Sequence, residues 1–450
     1  MKRRTLLVII CTLVAFAPAF AQNEEAPAKK EMKTGWTLSA LPSVSYSSDM
    51  GFQYGAFGEV YNYGDGSTYP DPLHLIKWEV SHFTKGRTRF FLAYDSKYLI
   101  PNMRLNCSAT YITDPLYYFY GFNGNAQSYL PELDANNGLA YYNMNRNMLR
   151  LLLDFQGKIT PNLSWAGGIS FWRFNMGSFN GEKYGYDPNV TLYNYYKKAG
   201  IIKEGEADGG SRLELKAGFV YDSRDVENAS NRGIWSELYL SGSPDIAKDG
   251  FNYLKLNAHF RHYLTIPINI KAGKPVFAYH LAYQGTIAGE TPFYMQQNIT
   301  TLVLKQMVSE GIGSSNTIRG LMANRVIADG YAWGNFELRV KLVRFQLFKQ
   351  YFYIATNPFF DCGIITQPYR LDEMAGKTLL DGRAFGSKAD LTDLSKEFIK
   401  TAGIGLKIAW NENFIVSVEG AKNFNKGLSS PNADGDGSKT WISIGMNYCF

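Results

Sequence analysis

The sequence predicts an all-β protein: a transmembrane antiparallel β-barrel of about 16 strands, with long extracellular loops. Three observations carry this expectation. First, segment after segment alternates apolar and polar side chains, the period of a strand with two unlike faces. Residues 331–343 alternate most strictly, with Phe336, Leu338, Val340 and Leu342 on one face and Glu337, Arg339 and Lys341 on the other. A charged inner face needs a wet interior, which gives the pattern apolar toward lipid and polar toward the lumen. Second, the connections after odd-numbered segments include all the long ones, whereas those after even-numbered segments are short. Short periplasmic turns and long extracellular loops produce this asymmetry, and a soluble sandwich has no reason to show it. Third, beyond residue 21 no run of about 18 apolar residues exists to form a membrane helix, while the chain holds 31 Tyr, 29 Phe, 8 Trp and 43 Gly.

The first residues explain how such a chain leaves the cytoplasm. Lys2, Arg3 and Arg4 form a basic start, residues 6–16 an apolar stretch, and Ala19-Phe20-Ala21 a small-x-small cleavage site. Residues 1–21 are therefore read as a secretory signal peptide. Residues 22–35 are polar and charged, a short periplasmic leader, and 36–450 form the barrel. The whole chain carries 46 Lys+Arg against 40 Asp+Glu. Three of the basic residues belong to the export segment, so the mature balance is about +3, too small to argue for nucleic acid. Cys107, Cys362 and Cys449 remain after export, an odd number. Strand parity puts Cys107 and Cys362 toward lipid and Cys449 inward, on separate strands, with no disulfide expected. No Cys/His spacing suggests a metal site, and no cofactor motif occurs.

Strands of about ten residues are what a tilted membrane crossing requires. Leu38, Ala40, Val44 and Tyr46 share a face of the first. The second covers about 52–62. The third, 73–83, sets Ile76, Trp78 and Val80 against Lys77, Glu79 and Ser81. The fourth and fifth fall at 88–98 and 104–113, followed by a long loop rich in aromatic residues and Asn. The sixth, 146–157, turns Leu149, Leu151, Leu153 and Phe155 outward, and Thr160-Pro161-Asn162 makes a tight turn into the seventh at 163–174. After a second long loop, the eighth at 212–222 sets Leu213, Leu215 and Phe219 against Arg212, Glu214 and Lys216. The ninth lies at 233–242. The tenth, 253–263, sets Leu254, Leu256, Ala258 and Phe260 against Lys255, Asn257, His259 and Arg261. The eleventh, 275–288, leads into a loop of about 40 residues, and the twelfth is 331–343. The thirteenth, at 351–362, precedes a polar loop. The fourteenth and fifteenth, 399–410 and 414–421, are joined by Asn411-Glu412-Asn413. The sixteenth is 441–450.

The loop before the twelfth strand is rich in Gly and Ser and carries Thr317-Ile318-Arg319-Gly320-Leu321. This tip resembles the V-R-G-F/Y motif of the BamA/TamA-type outer-membrane assembly superfamily, the bacterial surface-antigen barrels. Ile318 replaces the Val, Leu321 replaces the aromatic, and Arg319 and Gly320 match. The resemblance implies that the loop folds into the lumen and that Arg319 pairs with inward acids on strands twelve and thirteen. Glu337 in Gly334-Asn335-Phe336-Glu337 and Asp361 in Phe359-Phe360-Asp361-Cys362-Gly363 stand at those places. A guanidinium between two carboxylates makes charge-assisted bonds strong enough to fix a long loop.

Two further stretches resemble the family. Asp222, Arg224 and Asp225 with Gly233 match its periplasmic turn, and turn chemistry is sufficient reason for them. Ser443, Gly445, Tyr448 and Phe450 match the C-terminal barrel signal shared by many outer-membrane barrels.

Family insertases and transporters carry periplasmic POTRA domains, whereas the leader at 22–35 leaves no room for a folded domain before the first strand, so the expectation is a family variant without them. It would lie in the outer membrane of a diderm bacterium and act in outer-membrane protein or lipid assembly or translocation. Its partners would be outer-membrane lipids and a separate periplasmic or outer-membrane protein, with no nucleic acid. A gated diffusion channel and a structural surface-antigen barrel are the alternatives. An enzyme is not expected. None of His74, His82, His259, His262 and His280 sits in a catalytic motif, and no nucleophile motif or phosphate loop is present.

Overall fold

The computed structural model describes residues 33–48, 50–69, 71–136, 140–179, 188–227, 229–300, 308–347, 350–410, 414–429, 440–446 and 448–450. The expected signal peptide and most of the expected leader lie outside the described residues. The chain forms β1 (Trp36–Ser47), β2 (Gly51–Asn62), β3 (His74–Phe83), β4 (Thr88–Ile100), β5 (Met103–Tyr118), β6 (Asn143–Lys158), β7 (Leu163–Ser178), β8 (Gly209–Asp222) and β9 (Gly233–Ser243). It continues with β10 (Tyr253–Thr265), β11 (Val276–Gly289), β12 (Asn298–Thr300), β13 (Val308–Glu310), β14 (Gly330–Leu347), β15 (Gln350–Gln367), β16 (Ile399–Trp410), β17 (Phe414–Asn423) and β18 (Thr440–Met446). Strands β1–β11 and β14–β18 close into one antiparallel barrel of 16 strands, each paired with its sequence neighbour in the wall. The pair β12–β13 is a separate hairpin inside the loop between β11 and β14.

Closure satisfies backbone donors and acceptors strand to strand, the condition for crossing lipid. The alternation read from sequence is visible in β10, where Lys255, Asn257, His259 and Arg261 are buried inward while Leu254, Leu256, Ala258 and Phe260 face out. Several wall strands run longer than a membrane crossing needs, notably β5, β6, β14 and β15. Their extracellular ends rise into an aromatic cap built from the long loops. Tyr117, Phe119, Tyr120, Phe122, Tyr141, Tyr142, Tyr196, Phe293, Tyr294 and Tyr369 are buried in a single cluster there. Phe122 makes an edge-to-face contact with Tyr369 at 4.7 Å. Asn123 and Tyr369 exchange two hydrogen bonds, Nδ2 to O at 2.8 Å and N to Oδ1 at 2.6 Å. Much of the aromatic content therefore builds a lid over the lumen. Sequence patterning alone assigned these residues to loops.

The lumen is filled unevenly. On the β10–β17 side, residues 290–300 and 308–329 of the loop pack against the wall and leave inward charges almost inaccessible. On the β2–β4 side Lys77 and Glu59 form an ion pair, with side chains 38% and 27% exposed. That half remains wet.

The wall has one weak line. β1 pairs with β2 along all of its length, from Trp36↔Asn62 to Ser47↔Gly51. Across the seam to β18 the register among the described residues contains only Tyr46↔Ile444 and Ser47↔Ser443. One further backbone bond, Ser48 N to Ile442 O at 3.0 Å, lies just above. Below Tyr46 the β1 edge therefore has no ladder partner among the described residues, and Pro42 within it has no N–H to donate. The expectation that the sixteenth strand continues through 441–450 is corrected here. β18 ends at Met446, and Tyr448, Cys449 and Phe450 leave the wall and turn into the lumen. Gly445 is on the strand, whereas Tyr448 and Phe450 are not on a lipid-facing continuation of it.

Candidate functional site

The loop tip is shaped locally before it is held globally. Thr317 Oγ1 donates to Gly313 O at 2.6 Å and accepts from Gly313 N at 2.8 Å, closing a small turn. Gly313 has φ +140° and Gly320 φ +98°, conformations that L side chains rarely adopt. A Cβ at Gly313 would lie 1.9 Å from Met322 O, and one at Gly320 would lie 3.0 Å from Thr401 Cβ. Ile318 and Leu321, the two departures from the family motif, pack in an apolar cluster with Ile312, Trp333 and Ile365. The aliphatic residues fill the place between tip and wall.

Arg319 is fully buried and reaches three strands. Its Nε donates to Asp361 Oδ2 at 2.8 Å, its Nη2 to Asp361 Oδ1 at 2.8 Å, and its backbone N to Asp361 Oδ2 at 2.9 Å. Nη1 donates to Glu337 Oε1 and, at 3.3 Å, to Glu419 Oε1. The guanidinium lies 3.6 Å from the centre of the Phe359 ring. Around it, Arg339 Nε donates to Glu337 Oε2 at 2.9 Å and Lys407 Nζ to Glu419 Oε1 at 2.7 Å. Asn357 Nδ2 bridges Glu337 and Glu419 at 3.3 and 3.2 Å. Three cations thus face three carboxylates, all within the lumen wall, which is the condition under which buried charge is tolerated. Asn335 Nδ2 also donates to Thr317 O at 2.5 Å, tying the tip to β14.

The structure thus brings Arg319, Gly320, Glu337 and Asp361 together. Sequence reading missed Glu419, Lys407, Arg339 and Asn357 as members of the cluster. Inward parity of charged residues on β14, β16 and β17 was the available signal, but parity does not say which inward charges meet across a barrel.

A second anchor, absent from the sequence reading, holds the same loop to the opposite wall. Glu310, at the end of β13, accepts from Arg87 Nη2 at 2.9 and 3.1 Å and pairs with Arg146. Arg87 Nε also donates to Asp114 Oδ2 at 2.9 Å. Burial by itself would raise the Glu310 carboxyl, but Arg146 and then Arg87 outweigh it and bring it down to about 2. A depressed carboxyl contributes stability above its unfolded titration range and loses it as pH falls through the folded value. Amide protection over residues 308–312 is therefore expected to be constant from pH 7 to about pH 5 and to fall away toward pH 2, as hydrogen exchange would measure. Glu310→Gln should show the low-pH protection already at pH 7.

The periplasmic turn is held by its own side chains. Arg224 Nε and Nη2 donate to Asp222 at 2.9 and 2.7 Å, and Arg224 stacks 3.9 Å from the Trp235 ring. Asp225 Oδ1 accepts from the backbone N of Val226 and Asn231, both at 3.0 Å. Gly233, at φ +108°, would place a Cβ 2.4 Å from Ser223 O. These contacts account for the motif as turn chemistry.

Among the described residues no group of three His, Cys, Asp or Glu is placed to hold a metal ion. The three cysteines among the described residues, Cys107, Cys362 and Cys449, are free thiols, with Cys107 lining an apolar groove on the lipid-facing wall.

Comparison with known proteins places this architecture. Residues 100–417 match the Omp85 superfamily domain. The fold is similar to that of BamA from Haemophilus ducreyi lacking POTRA domains 1–3, with TM-score 0.53 and 15% identity, over 92% of this chain and 70% of that one. It is also similar to CdiB from Escherichia coli, with TM-score 0.55 and 11% identity, over 94% of this chain and 66% of that one. The chain thus spans about two thirds of the length of these structures, and at such identities the likeness is one of fold. No curated protein matches the chain.

Proposed function

Because the chain belongs to the Omp85 superfamily, a family of bacterial outer-membrane barrels, we propose that it inserts or translocates outer-membrane proteins or lipids with the help of a separate partner protein. The observation that carries this reading is the seam. Among the described residues, the β1 edge below Tyr46 has no ladder partner in β18. An unpaired backbone edge in lipid is costly and templates an incoming strand. The aromatic cap and the latched loop close the axial route, so the lateral route is the one the architecture favours. The partner would deliver the client to that edge.

The test is reconstitution. Liposomes holding the barrel should accelerate, severalfold over empty liposomes, the folding of a small urea-unfolded outer-membrane barrel, read by its heat-modifiable gel shift. The wet β2–β4 half of the lumen favours one second reading, a gated diffusion channel. An unaltered protein that leaves client folding unchanged and gives stable ohmic conductance in planar bilayers would support the channel instead.

A further inference from the structure

Two arginines of the extracellular cap are held without a carboxylate. Arg325 is 1% exposed. Its Nε donates to Ser429 O at 3.1 Å, and its Nη2 donates to Gln127 O at 3.3 Å and to Gly427 O. The guanidinium lies 5.2 Å from the centre of the Tyr120 ring. Arg383 comes from the β15–β16 connection, in a small hairpin closed by the Thr378–Ala384 bridge. Its Nη2 donates to Tyr142 Oη at 3.2 Å, and its guanidinium lies 5.5 Å from the Tyr141 ring. The rings of Tyr120 and Tyr142 are 5.4 Å apart, so both arginines close on one aromatic pair.

Charge balance is what this pair lacks. Arg370, in the same cap, meets Glu206 and Glu290. Neither Arg325 nor Arg383 forms an ion pair among the described residues. Asp381, two positions before Arg383, accepts instead from Tyr141 Oη and, at 3.0 Å, from the backbone N of Arg383. Burial pushes the Arg325 guanidinium down to about 10, and the charge of Arg383 adds to the effect.

Hydrogen-bonding capacity is also left over, mostly on the donor side. Arg325 Nη1, Arg383 Nε and Nη1, and Gln127 Nε2 are buried with no hydrogen-bond partner among the described residues. Gln127 is the residue whose carbonyl holds Arg325. The orphan acceptor nearby, Asn125 Oδ1, is a neutral amide. Buried donors are normally paired, and buried charge is tolerated when a counter-charge meets it. Water would satisfy the donors but would bring no negative charge.

We propose that the β5–β6, β11–β14 and β15–β16 connections form a site for one small tetrahedral oxyanion, phosphate or sulfate, held between Arg325 and Arg383 with Gln127 as a third donor. Several oxygens on one centre suit donors that arrive from different loops, and a guanidinium fork matches them in pairs. Ligand size follows from burial. Arg325 and Gln127 are almost inaccessible, so an anion tethered to a lipid or a polymer is not seated there. Arg383 is only partly buried and marks the way in. The bound anion ties together three connections of the aromatic cap, and Arg325 extends the tie to β17–β18 through Gly427 and Ser429. A ligand that binds the closed cap and not the open one shifts the population toward the closed one. Occupancy of this site acts on the cap and leaves the β1 edge untouched.

The probe is inorganic phosphate, added to full-length protein in detergent after dialysis into chloride buffer at pH 7. Titration calorimetry should show one site per chain, and sulfate should compete for it. Saturating phosphate should slow protease cleavage within residues 119–136 and 371–395 severalfold relative to chloride of equal ionic strength. Arg383→Gln removes a partly exposed donor and should weaken phosphate binding by about tenfold or more, the loss of a charge-assisted hydrogen bond. Arg325→Gln should abolish binding. Lys388→Gln changes an exposed cation of the β15–β16 connection that pairs with Asp372, and it should bind phosphate as unaltered protein does. If Arg325→Gln does not refold, as judged by its heat-modifiable mobility, unaltered protein and Arg383→Gln carry the test. Absence of a calorimetric site in unaltered protein, equal protection by chloride and phosphate, or phosphate binding unchanged by Arg383→Gln would each overturn the proposal.

Discussion

Arg319→Ala is expected to release the tip of the lumen loop and turn a closed barrel into a leaking one. The substitution removes one of three cations from a buried cluster and leaves Glu337, Asp361 and Glu419 facing Arg339 and Lys407. Breaking a buried pair by removing one member typically costs about 3–5 kcal/mol, because the remaining charge is stranded. Here Asp361 loses both of the hydrogen bonds it accepts from the guanidinium. The barrel wall has its own ladder and need not unfold. The cluster instead relieves its stranded charge by letting the loop leave and water enter. Residues 311–329 should become cleavable by protease in the folded protein, and bilayer conductance should rise above that of the unaltered barrel. Arg319→Lys should fall between the two, since a single ammonium cannot reproduce a planar fork serving Asp361 in two directions. Protease resistance and conductance both unchanged in Arg319→Ala would show that Arg319 is not a latch.

Arg370→Ala should loosen the extracellular cap by a comparable amount without opening the pore. Arg370 joins three loops: Nη1 donates to Ile201 O at 2.9 Å and pairs with Glu206, while Nη2 donates to Glu290 at 2.9 Å. Glu206 is fully buried, and its other oxygen accepts from Phe293 N at 2.7 Å. Without Arg370 its charge is stranded beneath the cap, again at a cost of about 3–5 kcal/mol. Protease added to intact cells should then cut within residues 188–208. The latch is still in place beneath, so conductance should stay at the unaltered level, and only the combination with Arg319→Ala should exceed either single variant. High conductance from Arg370→Ala alone would mean that the cap, and not the latch, seals the lumen.

How much of this was legible in the sequence follows from which forces act locally. Alternation in 331–343 is a property of neighbouring residues, and it gave both the strand and the inward parity of Glu337. Loop lengths alternate along the chain, so strand count and orientation were also accessible. The match at Arg319-Gly320 directed attention to Asp361, one strand further on. By contrast, Glu310 meets Arg87 and Arg146 across more than 160 positions of sequence, and no local pattern marks that meeting. The aromatic residues of 117–142 looked like loop because their packing partners lie in three other loops. The last strand was misread past Met446 because Tyr448 and Phe450 keep strand-like spacing. What turns them inward is a pocket on β10, β11 and β14–β17, contributed by distant parts of the chain.

The central claim is that the barrel works through its seam. It is tested most directly by locking β1 to β18. Ser47 and Ser443 lie directly opposite each other, next to the bond from Ser48 N to Ile442 O, and Cβ atoms so placed approach to about 4.5–5.5 Å. The measurement is the rate of client folding into liposomes by a Ser47→Cys, Ser443→Cys protein whose three native cysteines are serine, before and after reduction. The account predicts that the oxidised protein falls to the rate of empty liposomes and that reduction restores the rate. Full activity in a barrel whose seam is covalently closed would contradict it.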